Sequence, residues 1–366
     1  MVRSVPANEN HIPSAVARRS VASAWKSYAI AATLGVLLSW AYLSGVKAPP
    51  PRICGQPNGP PVTAPRIVLS DGRKLAYSER GVPKEQAKHK LIVVHGLEGS
   101  RHQSLSLVSQ ELLEELSVYM VSYDRAGYGQ SDPNPTRTVK SEAFDVEELA
   151  DQLELGPKFY LASISIGGYT AWSCLYYIPH RLAGVLMFSP VTNFWWSKLP
   201  SREAYNAFHT QAIGDKLALL VAHYTPSFLY FWMTQKLLPT SSTMGALHLH
   251  CNPMDRDTIL GGKPDPAIAE EAMQQGIFES KIRDKMVMFG NWEFDPSEVP
   301  DPFPSKNGSV HIWQGDEDCL VPVALQRAVH RSLPWIQYHE LAGVGHLLHA
   351  APGVTEKAFR QLFQSS

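Results

Sequence analysis

The architecture of this chain can be inferred from one short stretch, Leu161-Ala162-Ser163-Ile164-Ser165-Ile166-Gly167-Gly168. An apolar run leads into Ser165, small residues stand two positions before and after it, and a helical pattern follows. Small residues are needed where a strand turns sharply into a helix, because the two elements pass close together there. The turn would strain the backbone of Ser165 and point its hydroxyl outward, beside the first amides of the helix. The stretch therefore predicts a nucleophile elbow, with Ser163, Gly167 and Gly168 as its closely packed residues.

Four other motifs accompany the elbow in a defined order. Two precede it: a buried-strand run, Leu91–Val94, that leads into His95-Gly96-Leu97-Glu98-Gly99-Ser100, and the turn Tyr123-Asp124-Arg125-Ala126-Gly127-Tyr128-Gly129-Gln130-Ser131-Asp132. Two follow it: Gly315-Asp316-Glu317-Asp318 and Gly343-Val344-Gly345-His346. Ser165, Asp318 and His346 thus occur in this order, the last two each on a loop after a predicted strand. This is the order of the catalytic triad in α/β-hydrolases.

Residues 66–366 resemble an α/β-hydrolase-fold protein and, within that superfamily, the plant-type, lid-bearing serine hydrolases. The resemblance implies a mostly parallel sheet flanked by helices, with an inserted helical lid. It also implies that Ser165 is the nucleophile, His346 its base and Asp318 the residue that orients His346. The backbone amides of Leu97 and Ile166 would form the oxyanion hole.

The implied reaction transfers an acyl group to water through an acyl-serine, with no metal and no organic cofactor. Epoxide hydrolases and dehalogenases of this fold use an aspartate nucleophile, so Ser165 disfavours both chemistries. We therefore expect a serine hydrolase that cleaves carboxylic esters, carboxylesterase-like or lipase-like, with lipid esters and acylated small molecules as candidate substrates. A ligand-binding receptor with negligible turnover and a serine acyltransferase stay open as alternatives.

Some residues near these motifs allow other readings. Asp316 is the alternative candidate for the acid of the triad. Ser163 replaces the first glycine of the usual G-x-S-x-G motif and so adds a hydroxymethyl group where space is tight. His349 follows the candidate base by about one helical turn and is expected to be a supporting or surface group. His248-Leu249-His250-Cys251 resembles a metal-ligand set only weakly, because a fourth ligand is not evident. We expect no metal site.

Two predictions concern the loops around the elbow. His95 is expected to shape the oxyanion turn rather than to move protons. Asp124 and Arg125 are expected to fix the glycine-rich turn that contains Gly127 and Gly129. Both predictions give these polar residues a structural role.

The composition sets broader limits. The chain has 366 residues, 44% of them hydrophobic, which is enough for a sizeable core, and its net charge of -1 disfavours nucleic-acid binding. It has four cysteines and no C-x-x-C pattern, so we expect each to be a buried or incidental thiol; they are Cys54, Cys174, Cys251 and Cys319.

The N-terminal region contains 20 residues without a charge, Ser27–Val46, with aromatic residues towards both ends. This length predicts a single-pass membrane anchor after an N-terminal tail, residues 1–26. More positive charge precedes the segment than follows it, which predicts a cytosolic N-terminus and a lumenal or extracellular catalytic domain. A signal peptide and a targeting presequence are the alternatives.

A Pro-rich segment, residues 47–65, is expected to be a linker. The α/β-hydrolase core would then comprise residues 66–190 and 307–366, with residues 191–306 as the helical lid. Predicted strands are 66–69, 74–80, 91–94, 118–123, 159–162, 185–188, 310–314 and 336–341, and predicted helices are 105–116, 141–155, 167–177, 323–332 and 355–363. The lid is rich in aromatic residues that either line a greasy acyl pocket or only attach the lid to the core: Phe194, Trp195, Trp196, Phe208, Tyr224, Phe228, Tyr230, Phe231 and Trp232.

Overall fold

The computed structural model describes residues 15–42, 45, 47–105, 107–240, 252–261 and 266–364. The chain divides into two compact units, residues 1–48 and 49–366. In the first unit the described residues form one long α-helix, Ala15–Ala41. The second unit contains the elbow and the four motifs that accompany it.

The predicted membrane span over residues 27–46 is not supported. No helix within the described residues combines the length and the apolarity needed to cross a bilayer. Within the described residues, the uncharged part of this helix runs from Ser27, after Lys26, to the end of the helix at Ala41, which is shorter than the ~20 residues that a span requires. Residues 1–14 of the predicted tail, and residues 43, 44 and 46, lie outside the described part of the chain. The location inferred from the span stays a prediction.

The second unit is built on one mixed sheet. Its strands are β1 Arg66–Val68, β2 Lys74–Gly81, β3 His89–Val94, β4 Val118–Tyr123, β5 Phe159–Ile164, β6 Leu182–Phe188, β7 Val310–Gly315 and β8 Gln337–Leu341. They lie in the order β1-β2-β4-β3-β5-β6-β7-β8. Pairs β1/β2 and β2/β4 are antiparallel and all the others are parallel. The mostly parallel sheet expected from the sequence is confirmed.

Burial explains the sequence pattern of the central strands. All six residues of β4 and of β5 are buried, as a parallel sheet covered by helices on both faces requires. The helices of the hydrolase core are Arg101–Leu105, Gln110–Glu115, Val139–Gln152, Gly168–Tyr177, Val323–Ser332 and Val354–Gln364. The single helix predicted over residues 105–116 is wrong, because the hydroxyl of Ser109 accepts the backbone N–H of Leu112 and caps a separate second helix.

Six α-helices lie between β6 and β7 in the described sequence, where the lid was predicted: Ser201–Thr210, Ile213–Tyr224, Leu229–Thr234, Pro253–Gly261, Pro266–Ala272 and Arg283–Phe289. A buried ion-pair network ties this insertion to the core. Asp284 of the insertion receives two hydrogen bonds, each 2.7 Å long, from the guanidinium of Arg125, and Arg137 lies 2.9 Å from the same carboxylate. All three side chains are fully buried, so the attachment is rigid.

The Pro-rich segment that was predicted as a spacer packs on the second unit. Cys54 is buried, and its backbone N–H donates to the side-chain oxygen of Gln275. The backbone N–H groups of Thr63 and Ala64 donate to the side-chain oxygen of Gln130. Residues 49–65 therefore form part of the unit that contains the hydrolase core.

Candidate active site

Ser165 stands where β5 turns into the helix Gly168–Tyr177, and its φ of +53° is the strained backbone that an elbow requires. The neighbouring glycines are needed sterically. A Cβ on Gly167 would lie 2.7 Å from the backbone oxygen of His95, and one on Gly168 would lie 2.6 Å from the Cβ of Pro190. The elbow is thus wedged between the loops that follow β3 and β6, and these contacts hold the hydroxyl of Ser165 in position.

The structure brings Ser165, His346 and Asp318 together although they are far apart in sequence. His346 Nε2 lies 2.9 Å from Ser165 Oγ, and His346 Nδ1 lies 2.8 Å from Asp318 Oδ2. A carboxylate only accepts hydrogen bonds, so Nδ1 carries the proton and Nε2 accepts the proton of the serine hydroxyl. This tautomer leaves Nε2 able to remove that proton.

Asp318 is held firmly as a carboxylate. Its Oδ1 accepts the backbone N–H groups of Leu320 and Val321, both at 2.9 Å, and its Oδ2 accepts the side-chain amide of Gln314 at 2.9 Å. Burial alone would raise the pKa of this carboxyl, but His346 and the backbone donors outweigh burial and hold the pKa below its usual value. Asp318 therefore stays charged beside the imidazole.

The alternative acid occupies a different position. Asp316 Oδ1 accepts the backbone N–H of Gly343 at 2.8 Å, so this carboxylate fastens the turn that precedes the histidine. The side chain of His346 instead bonds to Asp318 and Ser165. The geometry therefore favours Asp318 as the acid of the triad, and Asp316 stabilises the turn at Gly343.

A second carboxylate, which no sequence motif indicated, contacts the loop that carries His346. Asp255, in the insertion helix Pro253–Gly261, is fully buried and accepts the backbone N–H of His346 at 2.7 Å and that of Leu347 at 2.8 Å. Gly345 is required there, because a Cβ on it would lie 2.1 Å from Asp255 Oδ2. Burial lowers the pKa of His346, but the negative charges of Asp318 and Asp255 outweigh burial and raise the pKa above its usual value.

The turn beside the elbow is fixed by His95, as predicted from the sequence. His95 Nδ1 lies 2.8 Å from the backbone oxygen of Gly96, and its Nε2 accepts the backbone N–H of Arg125 at 3.0 Å. Complete burial and the positive charge of Arg125 hold the pKa of His95 well below its usual value. His95 is therefore a neutral ring that fixes the loop carrying Leu97.

A cavity of about 140 Å³ opens onto Ser165 and His346. Leu97 and Ile166, whose amides were predicted to form the oxyanion hole, both line it beside Ser165. Most of the remaining wall is apolar and includes Val191, Phe194, Leu219, Met288, Phe289 and Val321.

Of the aromatic residues singled out in the lid, Phe194 lines this cavity. Others pack against neighbouring rings: Trp195 stacks on His223 with ring centroids 4.2 Å apart, and Trp196 meets Trp172 edge-on. The apolar wall therefore consists of Phe194 together with aliphatic and aromatic residues. In the sequence, these other residues could not be told apart from core residues. His349 also lines the cavity, and burial together with the charge of His346 lowers its pKa to about 4.

Within the described residues, no group of three or more His, Cys, Asp or Glu side chains could hold a metal ion. The motif at residues 248–251, including Cys251, lies outside them. Cys54 and Cys174 are buried free thiols, as expected. The expectation for Cys319 is wrong, since this residue is disulfide-bonded directly beside Asp318.

A model of the alpha/beta hydrolase family matches residues 91–358. This range contains all five motifs and covers more than half of the chain. The protein therefore belongs to the alpha/beta hydrolase family. No curated protein sequence matches the chain.

Solved structures share the fold across almost their whole length. A hydrolase from Pseudomonas aeruginosa PA01 is 16% identical, with 83% of this chain and 98% of that chain covered and a TM-score of 0.55. An esterase from Rhodococcus sp. ECU1013 is 17% identical, with 83% and 99% covered and a TM-score of 0.55. A thermophilic esterase from Thermogutta terrifontis is 20% identical, with 83% and 98% covered and a TM-score of 0.51. At such identities the similarity establishes the fold and leaves the reaction to the site.

Proposed function

We propose that this protein is a serine hydrolase that cleaves carboxylic esters through an acyl-serine intermediate. The observation that carries the proposal is the hydrogen-bonded chain from Ser165 through His346 to Asp318, of which Ser165 and His346 line a mostly apolar cavity. Family membership and the esterases among the structures of the same fold agree with an ester substrate. The site residues predicted from the sequence thereby take defined roles.

In the first half-reaction, Ser165 Oγ attacks the ester carbonyl while His346 Nε2 takes the hydroxyl proton. The carbonyl oxygen becomes an oxyanion, for which the amides of Leu97 and Ile166 are the proposed donors. The C–O bond to the alcohol then breaks, and His346 returns the proton to the departing alkoxide. The products are a free alcohol and an acyl group bonded to Ser165.

The second half-reaction repeats these steps with water. His346 removes a proton from water, the hydroxide attacks the acyl-serine, and the Ser165–acyl bond breaks as the proton returns to Oγ. Asp318 stabilises the imidazolium that forms in each half-reaction and keeps its own charge. Both steps balance without a metal or an organic cofactor.

The cavity favours small substrates. Its volume, about 140 Å³, is close to that of an engineered apolar cavity of ~150 Å³ that binds benzene. We therefore propose acylated small molecules, with a short-chain or single-ring group in the cavity, ahead of long-chain lipids.

The test is covalent labelling with a fluorophosphonate probe, combined with hydrolysis of p-nitrophenyl butyrate. Wild-type protein should be labelled and should turn over the ester, Ser165→Ala should do neither, and Ser332→Ala, on a helix remote in sequence from the elbow, should match wild type. Folded wild-type protein that is neither labelled nor active, but binds a ligand tightly, would favour the receptor alternative. Ester product formed with added alcohols would favour the acyltransferase.

A further inference from the structure

The peptide unit that joins Gly96 to Leu97 lies beside Ser165. A Cβ added to Gly96 would lie 3.5 Å from the Cβ of Ser165, and Leu97 lines the cavity that opens onto Ser165. The N–H of this peptide unit belongs to Leu97 and is one of the two proposed oxyanion donors, whereas the carbonyl belongs to Gly96. The orientation of this one peptide unit therefore determines where the donor points.

Two fully buried side chains, those of His95 and Arg125, bind the carbonyl of this peptide unit. His95 Nδ1 donates to the backbone oxygen of Gly96 at 2.8 Å, and Arg125 Nη2 donates to the same oxygen at 3.3 Å. His95 carries its proton on Nδ1 because its Nε2 accepts the backbone N–H of Arg125. The C=O and the N–H of a trans peptide point in opposite directions, so the bonds that hold the carbonyl also direct the N–H of Leu97 away from His95 and Arg125.

Arg125 contributes a positive charge in addition to a hydrogen bond. Hydrogen bonds from a charged donor are roughly twice as strong as neutral ones, and successive hydrogen bonds polarise one another. Electron density drawn towards the carbonyl oxygen of Gly96 leaves the N–H of Leu97 more positive, and hence a stronger donor. Because Arg125 is fully buried, water screens this effect little.

The guanidinium of Arg125 is fixed in this orientation by its surroundings. Its two terminal nitrogens each donate to the carboxylate of Asp284 at 2.7 Å, and Nη1 also donates to the hydroxyl of Tyr169 at 2.9 Å. The ring centroids of Tyr128 and Tyr169 lie 5.1 and 5.5 Å from the guanidinium carbon. Asp284 belongs to the insertion, which therefore acts on the carbonyl of Gly96 through Arg125.

We propose that Arg125 is a positioning residue for ester hydrolysis: through the carbonyl of Gly96 it orients the N–H of Leu97 and makes it a stronger donor to the oxyanion. This inference rests on the proposed function and adds a residue to the catalytic arrangement. Arg125 is not among the described residues that line the cavity, so it acts through the peptide unit and not on the substrate. The sequence by itself predicts for Arg125 only a role in fixing the glycine-rich turn.

The first variant is Arg125→Lys. Lysine keeps the positive charge and can still pair with Asp284, but its ammonium group lacks the planar fork that reaches Asp284 and Gly96 together. With p-nitrophenyl butyrate, kcat should fall about tenfold, a part of the ~10²–10³ that the loss of a whole oxyanion donor costs. KM should change by less than about threefold, because the oxyanion forms only after the substrate has bound.

Arg137→Lys is the matched control, since it makes the same substitution in the same buried network. Arg137 also contacts the carboxylate of Asp284, at 2.9 Å, and its other hydrogen bonds go to Glu142, Ala126 and Tyr169. The control should lose stability in urea unfolding to an extent similar to that of the first variant. Its kcat should nevertheless stay near the wild-type value.

A pair of ketones reports on the oxyanion donor separately from the rest of the cavity. Ser165 Oγ adds to the carbonyl carbon of butyl trifluoromethyl ketone while its proton passes to His346, so the ketone oxygen becomes an oxyanion. Butyl methyl ketone has the same chain and binds without this addition. Arg125→Lys should weaken inhibition by the trifluoromethyl ketone about tenfold and leave inhibition by the methyl ketone unchanged. If Arg125→Lys does not fold, Arg125→Gln takes its place, because Arg137 still neutralises Asp284.

Failure of this inference differs from failure of the proposed function. If wild-type protein hydrolyses the ester but Arg125→Lys loses no more activity than Arg137→Lys, or loses affinity for both ketones alike, the positioning role is overturned and ester hydrolysis stands. If wild-type protein binds the trifluoromethyl ketone selectively and in a way that depends on Arg125, yet has no turnover, ester hydrolysis is overturned and the positioning role stands. Neither turnover nor ketone binding by folded wild-type protein would overturn both.

Discussion

Asp255 binds the backbone at His346: its two carboxylate oxygens accept the backbone N–H groups of His346 and Leu347, at 2.7 and 2.8 Å. The insertion thus contributes directly to the position of the candidate base. The carboxylate lies so close to Gly345 that no side chain would fit at position 345. The contact therefore depends on a glycine there. The helix Pro253–Gly261 therefore fixes the loop that carries His346.

Asp255→Asn should shift the pH dependence of ester hydrolysis. In the proposed mechanism His346 acts as a base only when it is neutral, so activity should be lost as the pH falls through its pKa. Asp255 helps to raise that pKa, and the neutral amide should lower it and move the acid limb of kcat/KM to lower pH. The matched control is Asp257→Asn, since Asp257 lies on the same helix with its side chain 72% exposed. A uniform loss of activity with an unmoved acid limb would mean that Asp255 acts on structure alone.

Asp318→Asn should lower kcat by about 10⁴, because an amide facing His346 Nδ1 favours the wrong tautomer and removes the charge that stabilises the imidazolium. Asp316→Asn should leave kcat close to wild type, since an asparagine oxygen can still accept the N–H of Gly343. Steady-state kinetics with p-nitrophenyl butyrate compares the two variants. Equal losses in both would contradict the assignment of Asp318.

Local patterns explain why much of the fold was predictable. The central strands are buried on both faces and are therefore continuous apolar runs, and Gly167 and Gly168 mark the elbow because backbone and side chains approach them closely. Ser165, Asp318 and His346 lie at loop positions with their own local motifs. Signals of this kind do not depend on which distant residues pack against them.

The contacts of Asp255 and of the Arg125 guanidinium could not be predicted in the same way. Asp255 contacts a loop 91 residues further along the chain, and nothing in Pro253-Met254-Asp255 specifies that contact. Gly345 was a partial signal, since it indicates that something approaches the backbone before His346, but it does not say what. Arg125 belongs to a recognisable motif, but only the packing of two loops brings its guanidinium to the carbonyl of Gly96.

Two substitutions at the elbow have opposite expected effects: one removes a hydroxyl group and the other adds a methyl group. Ser163 Oγ is buried and has no hydrogen-bond partner among the described residues. Ser163→Ala should therefore keep activity. The free energy of unfolding should change little or rise by about 1 kcal/mol, because an unpaired polar group is removed from the interior. Gly167→Ala should destabilise by about 1–3 kcal/mol and reduce activity, because its Cβ would meet the backbone oxygens of His95 and Val94 at 2.7 and 2.9 Å. Urea unfolding of both variants tests this. A Gly167→Ala protein as stable as wild type would show that the elbow has more room than these contacts allow.

A histidine pair of which His311 is buried and His339 partly exposed should make the protein sensitive to acid. His311 Nδ1 lies 3.0 Å from His339 Nε2, a contact that needs one nitrogen to be an unprotonated acceptor, and His311 Nε2 lies 2.8 Å from the hydroxyl of Ser309. Burial, followed by the influence of His339, lowers the pKa of His311 to about 4. Below pH ~6.5 the unfolded chain therefore binds a proton that the folded chain does not accept until about pH 4.

Stability should thus fall as the pH drops from about 6.5 to about 4, with up to roughly 3 kcal/mol attributable to His311. His311→Gln should be less stable than wild type at pH 8, since it loses the ring stacked on His339, yet its stability should fall less steeply over the acid range. His180→Gln is the control, because His180 is 69% exposed and should leave the slope unchanged. Urea unfolding from pH 8 to pH 4 measures all three proteins. If His311→Gln and wild type lose stability in parallel as the pH falls, the acid sensitivity does not arise from this histidine pair on β7 and β8. It then arises elsewhere in the molecule.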